Sequence, residues 1–310
     1  MNYTLSEITF PSSDGKNGIY AEIYTPSEKE PKGIVQLAHG MIDYVGRYKN
    51  LITALSAEGY IFAGHHHLGH GKSVKSPEDF GYFAKKDGVK FLIADMLSMN
   101  EYLRKTYPNL PITVMGHSMG SFIARLYINE HPETVSGAVI HGTSGPNPLL
   151  PFGMALARLI RLFRGERHRS KLLTGLAFGS YNSKFPKEEG SSAWLTRNTE
   201  EVADRETDEF TQFIFTASAY IDLFSMIRAC NRKEWFEKYP KSLPTLVISG
   251  DADPVGNYGR GVRYVYEKLR LNGAENTDLK TYAGARHELF NETNREEVFR
   301  DIISWLDLIK

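Results

Sequence analysis

Gly116-His117-Ser118-Met119-Gly120 follows an apolar run, Ile112-Thr113-Val114-Met115, and precedes a helix-like stretch from Ser121 to Glu130. Strand, glycine-flanked serine and helix in that order form the pattern of a nucleophile elbow, in which a sharp turn lifts a serine hydroxyl clear of the sheet. The two glycines suit a turn with no room for side chains, and Gly120, Ser121 and Ala124 keep the first helical turn narrow enough to lie close to the strand. The pattern therefore predicts a parallel-sheet α/β fold and points to acyl-transfer chemistry at Ser118. A chance match in a glycine-containing chain is the competing explanation, so the partners of the serine must be found.

On such a scaffold the order along the chain is serine, acid, histidine. Of ten histidines, only His287 lies beyond the acidic pair Asp251 and Asp253. It sits just past the strand-like Leu279 to Ala283, on a loop of the kind where open α/β sheets carry functional groups. For the acid, Leu246-Val247-Ile248-Ser249 reads as a buried strand ending in Gly250-Asp251-Ala252-Asp253-Pro254. Either aspartate could face the site, and Asp253 before Pro254 also has the form of a helix N-cap. An oxyanion hole needs two backbone N–H groups, one following the nucleophile and one from an early strand-to-helix loop. Met119 supplies the first by position, and Met41, after the strand Gly33 to Ala38 and His39-Gly40, is placed to supply the second.

With these residues in place, the chain resembles the α/β-hydrolases of the monoacylglycerol lipase and lysophospholipase group, also known as serine aminopeptidase-like. The resemblance runs through His39-Gly40-Met41 with Arg47-Tyr48, Gly69-His70-Gly71-Lys72-Ser73, the elbow, Gly250-Asp251-Ala252-Asp253-Pro254-Val255 and His287-Glu288. It continues through Lys171-Leu172-Leu173, Phe178-Gly179-Ser180-Tyr181-Asn182 and Trp194-Leu195-Thr196-Arg197. The resemblance implies that Asp253 is the catalytic acid, with Ser118 and His287, and that the Met41 and Met119 amides form the oxyanion hole. Three departures bear on substrate. Asp43-Tyr44 stands where the family commonly has Glu-His, His66-His67-Leu68 where it has Asp-His-Arg, and Phe290 where glycerol-gripping lipases carry a second histidine. Asp43, Arg47 and Phe290 are accordingly the expected substrate-binding positions on the core.

The expected fold is an α/β-hydrolase with a mostly parallel central sheet, helices on both faces and an inserted helical cap. Residues 1–142 and 240–310 would form the core and 143–239 the cap, because the alternation of strands and helices stops after Gly142 and resumes near Tyr239. Val89, Leu92, Ile93, Met96 and Leu97 share one helical face, Ser136 to Ile140 reads as a strand, and Thr293 with Glu296 resembles a capping box before a stripe of Phe299, Ile302, Ile303 and Leu306. In the cap, Leu156, Leu159, Ile160 and Phe163 share a face, with Arg158, Arg161 and Arg164 on another. That helix is read either as a lid offering Leu156, Leu159 and Phe163 to an acyl chain and positive charge to lipid, or as an amphipathic helix with its arginines in water. Phe210, Phe213, Ile214, Phe215, Tyr220 and Leu223 form a second apolar segment for an acyl tunnel or for packing.

Composition agrees. With 310 residues and 41% apolar content the chain buries a large core, and 37 basic against 37 acidic residues leave no field to attract nucleic acid. The single Cys230 excludes an internal disulfide and suits a reducing compartment. Met1 to Phe10 alternate like a strand and lack the features of a signal peptide, so a cytoplasmic location is expected. The run His65-His66-His67-Leu68-Gly69-His70 is similar to a metal-binding pattern, but Gly69 replaces the acidic ligand, and neither a metal nor a cofactor is expected. The reading that follows is a serine hydrolase of lipid-derived esters, with transient contact to a membrane surface through the cap and no obligate protein partner. Its rivals are an aminopeptidase with the same triad and a noncatalytic binding protein on the same scaffold.

Overall fold

The computed structural model describes residues 2–309. Eight strands form one sheet: β1 (Tyr3–Pro11), β2 (Gly18–Pro26), β3 (Gly33–Ala38), β4 (Tyr60–His65), β5 (Ile112–His117), β6 (Gly137–His141), β7 (Thr245–Gly250) and β8 (Thr277–Tyr282), in the spatial order β1-β2-β4-β3-β5-β6-β7-β8. Both β1 against β2 and β2 against β4 are antiparallel, and every later pairing is parallel. The α/β-hydrolase fold expected from the sequence is the fold observed. Strands β3 to β7 are buried along their whole length, which is why they read as continuous apolar runs. At the edges, β1 and β8 are mostly exposed or half-buried and place Glu7, Asp278 and Lys280 outside the core, a pattern that discourages further strand pairing.

Neighbouring residues on the central strands point to opposite faces and so build two apolar layers. Val114, Ile140 and Val247 pack with α2 (Gly88–Thr106), α3 (Met119–Glu130) and α9 (Arg260–Leu271). Met115, Val139 and Ile248 pack with α1 (Lys49–Ala57) and α10 (Arg295–Leu308). The expected stripes are there: Leu92, Ile93 and Met96 of α2, and Phe299, Ile302 and Leu306 of α10, are buried. The capping box is not. Asn294 takes the N-cap position of α10 with no side-chain cap, and Thr293 instead bonds Glu292, because the helix begins a residue later than the Thr293–Glu296 spacing requires.

Between β6 and β7 the chain forms α4 (Leu150–Arg164), α5 (Lys171–Phe178), α6 (Thr199–Thr207), α7 (Ala217–Cys230) and α8 (Lys233–Lys238). This insertion does not have a core of its own: Tyr220, Met226 and Cys230 of α7 and Trp235 and Phe236 of α8 join the same apolar cluster as α2 and α3. Helix α4 turns Met154 and Ala157 inward and leaves Phe152, Leu159, Leu162 and Phe163 exposed, and α5 exposes Leu172 and Leu176. Among the described residues no helix is long and apolar enough to cross a membrane.

Candidate active site

Strands β3, β5, β6, β7 and β8 deliver their following loops to one end of the sheet, where open α/β folds collect functional groups. Ser118 ends β5 with φ 53° and ψ −119°, a conformation that costs a non-glycine residue energy and survives only where its surroundings enforce it. Those surroundings are explicit. Ser118 N–H donates to the His141 carbonyl at 3.0 Å, and the Ser118 carbonyl accepts from the Ser121 N–H at 2.9 Å and its hydroxyl at 2.6 Å. A side chain on Gly120 would place its Cβ 1.9 Å from the Ala38 carbonyl oxygen, so the turn is pressed directly against the end of β3.

Beyond β8, His287 turns its Nδ1 to within 2.9 Å of Asp253 Oδ2, and both residues are almost completely buried. The carboxylate is held by Val255 N–H on Oδ1 at 2.8 Å and the Ser249 hydroxyl on Oδ2 at 3.2 Å. Asp251, the other candidate, is exposed and accepts the Gly284 N–H at 2.7 Å, which ties the histidine loop to β7. Geometry thus separates two aspartates between which spacing favoured Asp253 only modestly. Rings of Trp194 and His117 flank the imidazole, with centroids 5.3 and 4.9 Å away. Ser118, His287, Met41 and Met119 line one cavity of about 560 Å³, walled by Phe122, Phe178, Trp194, Leu223 and Ile227.

The loop after β3 is tightly determined. Asp43 accepts from Gly40 N–H at 3.3 Å, Tyr44 N–H at 2.9 Å and the Tyr48 hydroxyl at 2.7 Å. Burial opposes ionisation of Asp43, but His117 and Arg47 override it and hold the carboxyl well below the usual range. Ile42, the residue after Met41, has φ 53°. His70 accepts the Ile42 N–H at Nε2 across 3.3 Å, and Arg205 donates to the Ile42 carbonyl at 3.2 Å.

Of the expected substrate-binding residues, Asp43 lines the cavity and the others do not. Arg47 is committed to Glu288 through two bonds of 2.9 and 2.7 Å, and Phe290 is buried behind the site against His141, Tyr48 and Phe299. Leu156 is half-buried, while Leu159 and Phe163 are 52% and 75% exposed, because α4 seats Met154 and Ala157 inward rather than the broader apolar stripe. Leu223, from the second apolar segment, does reach the cavity, whereas Phe213 and Phe215 pack against His70.

Glu288 and Arg205 line the cavity without having been singled out as site residues. Burial pushes the Glu288 carboxyl up, but the Arg47 guanidinium outweighs it and the net value falls to about 2. Glu288 carried a signal, since it adjoins His287. Arg205 carried none, being one of several charged residues on α6. Several nitrogens in and beside the histidine run are used locally: His39 Nε2 accepts the His67 N–H at 3.0 Å, His66 Nδ1 accepts the Lys72 N–H at 2.8 Å, and His65 Nε2 and His67 Nδ1 lie 3.1 Å apart. Burial lowers His65 and His70 to about 4 and His66 to about 3, so these imidazoles are neutral and structural. Among the described residues no group of three or more His, Cys, Asp or Glu side chains is arranged to hold a metal.

Residues 29–294 match the family model described as serine aminopeptidase, S33. The chain belongs to that family. It is similar to a thermostable carboxyl esterase from Bacillus coagulans, solved in complex with glycerol, at 31% identity, a TM-score of 0.92 and 99% coverage of both chains. It is also similar to the monoacylglycerol lipase of Mycolicibacterium smegmatis, 27% identical over 98% of this chain and 97% of that protein. The monoglyceride lipase of Homo sapiens is 27% identical, over 89% of this chain and 82% of that protein. Membership of this family, with esterase and lipase neighbours, makes the chain a serine hydrolase.

Proposed function

We propose that the chain hydrolyses lipid-derived carboxylic esters, monoacylglycerols or lysophospholipids, using Ser118 as nucleophile, His287 as general base and Asp253 as the group that orients it. The observation that carries this reading is the buried His287–Asp253 pair at 2.9 Å, with His287 and a strained, half-buried serine lining one largely apolar cavity. His287 removes the Ser118 hydroxyl proton as the oxygen attacks the ester carbonyl; the Met41 and Met119 N–H groups receive the negative charge that develops. Collapse of the tetrahedral intermediate breaks the carbonyl–alkoxy bond, and His287 returns its proton to the departing alcohol. Water, deprotonated by His287, then attacks the acyl-enzyme and the fatty acid is released.

The relatives named monoacylglycerol lipase and monoglyceride lipase support the substrate class, and the apolar wall of Phe122, Phe178, Leu223 and Ile227 suits an acyl chain. In this reading residues 143–239 act as the cap over a core of 1–142 and 240–310. The exposed Phe152, Leu162, Phe163, Leu172 and Leu176 give that cap a surface for transient contact with lipid. An aminopeptidase would need a free carboxylate for the substrate amine, and both carboxylates at the cavity, Asp43 and Glu288, are bonded within the protein. A panel of monoacylglycerols, lysophospholipids, p-nitrophenyl esters and amino-acid arylamides tests the assignment. Ester turnover that disappears in Ser118→Ala is expected; preference for arylamides, or turnover surviving in folded Ser118→Ala, would overturn it.

A further inference from the structure

We propose that Arg205, on helix α6 of the insertion, is a positioning residue that holds the oxyanion loop, so that seating of the insertion and stabilisation of the transition state are one event. The proposal rests on the reading of Met41 as an oxyanion donor. The residue after Met41 is a β-branched isoleucine at φ 53°, a region that such side chains avoid. A peptide in that conformation relaxes unless both its polar groups are held. The Ile42 N–H is held from the core by His70 Nε2 at 3.3 Å, and the Ile42 carbonyl from the insertion by Arg205 Nη2 at 3.2 Å. Removing the second contact frees the Ile42–Asp43 peptide and, through the strained Ile42, loosens the loop whose Gly40–Met41 peptide carries the Met41 N–H.

Two further observations favour a functional reason for this contact. First, the guanidinium is placed at a cost. Its side chain is 14% exposed, its ion pair with Glu288 Oε1 is long at 4.0 Å from Nε, and among the described residues Nε has no hydrogen-bond partner. A buried cation without a close counter-ion is unfavourable for folding, and burial lowers the Arg205 pKa accordingly. Second, α6 is fixed to the core at both ends. Asn50 donates to Glu201 at 3.3 Å, and Tyr44, two residues beyond Ile42, donates to Asp208 at 2.6 Å. The helix is therefore a rigid bracket rather than a hinged flap, and what it delivers to the cavity is Arg205.

The test compares Arg205→Met, which keeps the aliphatic stem, and Arg205→Lys, which keeps a charged donor, with the wild-type enzyme on a short p-nitrophenyl ester. Wild-type turnover and its loss in Ser118→Ala are the controls: without them the proposed function fails, independently of Arg205. The inference expects kcat to fall at least about tenfold in Arg205→Met with KM within about threefold, a partial loss of an oxyanion-hole donor. Affinity for a trifluoromethyl ketone, which forms the oxyanion adduct, should fall by the same factor as kcat. Arg205→Lys should recover part of both, and added ethylguanidine should restore kcat in Arg205→Met without changing the wild type. If kcat stays within twofold in folded Arg205→Met, or if only KM rises, Arg205 does not position the loop. Should Arg205→Met fail to fold, Arg205→Gln, which removes the guanidinium, takes its place: unchanged kcat and unchanged ketone affinity overturn the inference, and a parallel fall in both supports it.

Discussion

Replacing Glu288 by glutamine removes one charge from a buried network and keeps its shape. Glu288 is nearly inaccessible, accepts two bonds from Arg47 and one from Asn291, and has its carboxyl held at about 2 against an ordinary value of 4.5. A difference of that size corresponds to about 3 kcal/mol of stability at neutral pH, at 1.36 kcal/mol per pH unit. Its sign follows from the direction of the shift. The folded value lies below the unfolded one, so the stabilisation is complete above the unfolded value and is lost as pH falls through 4.5 toward 2. Roughly three-quarters of it remains at pH 4 and under half at pH 3. Glu288→Gln mimics the protonated residue, so it should lower the unfolding free energy by about 3 kcal/mol at pH 7, or Tm by roughly 5 °C for a chain of this length. The gap between variant and wild type should narrow in acid. Urea unfolding of both proteins from pH 7 to pH 3 measures it directly. A variant as stable as wild type at pH 7, or a gap that does not shrink on acidification, would refute the claim that Arg47 keeps this carboxylate charged.

Three more expectations follow from the geometry. Asp253→Asn should reduce kcat about 10⁴-fold with little change in Tm, because the amide favours the wrong tautomer of His287; retention of more than a tenth of the activity would remove Asp253 from its role. Gly250→Ala should cost activity about 100-fold or more on soluble esters, since the new Cβ would stand 1.9 Å from the Ala285 carbonyl oxygen and displace the segment carrying His287. Leu162→Ser combined with Phe163→Ser should weaken binding to phosphatidylglycerol vesicles by at least about tenfold in co-sedimentation while leaving turnover of a soluble ester unchanged. Equal vesicle binding would show that the exposed face of α4 does not meet lipid.

The central sheet was legible in the sequence because β3, β5, β6 and β7 are buried on both faces, so apolar runs and strands coincide. Ser118 was legible because the elbow is local: two glycines and a strand–helix switch within a few residues determine it. Choosing between Asp251 and Asp253 was beyond spacing, since both leave the same strand end and only three-dimensional placement turns one toward His287 and the other toward Gly284. The covering of the outward face of α4 was left open by the sequence because periodicity identifies an apolar stripe and cannot say whether protein or solvent covers it. Arg205 was invisible for a related reason. Its role comes from meeting Ile42, 163 residues earlier in the chain, and nothing in the charged composition of α6 distinguishes it from its neighbours.

Intact-protein mass spectrometry after a short exposure to a fluorophosphonate ester tests the central claim most directly. Acyl transfer through Ser118 predicts a single stoichiometric adduct on the wild-type protein, mapped by peptide digestion to Ser118. The adduct should be absent in Ser118→Ala and formed far more slowly in His287→Ala. An adduct on another residue, or one whose rate is indifferent to His287, would contradict the account.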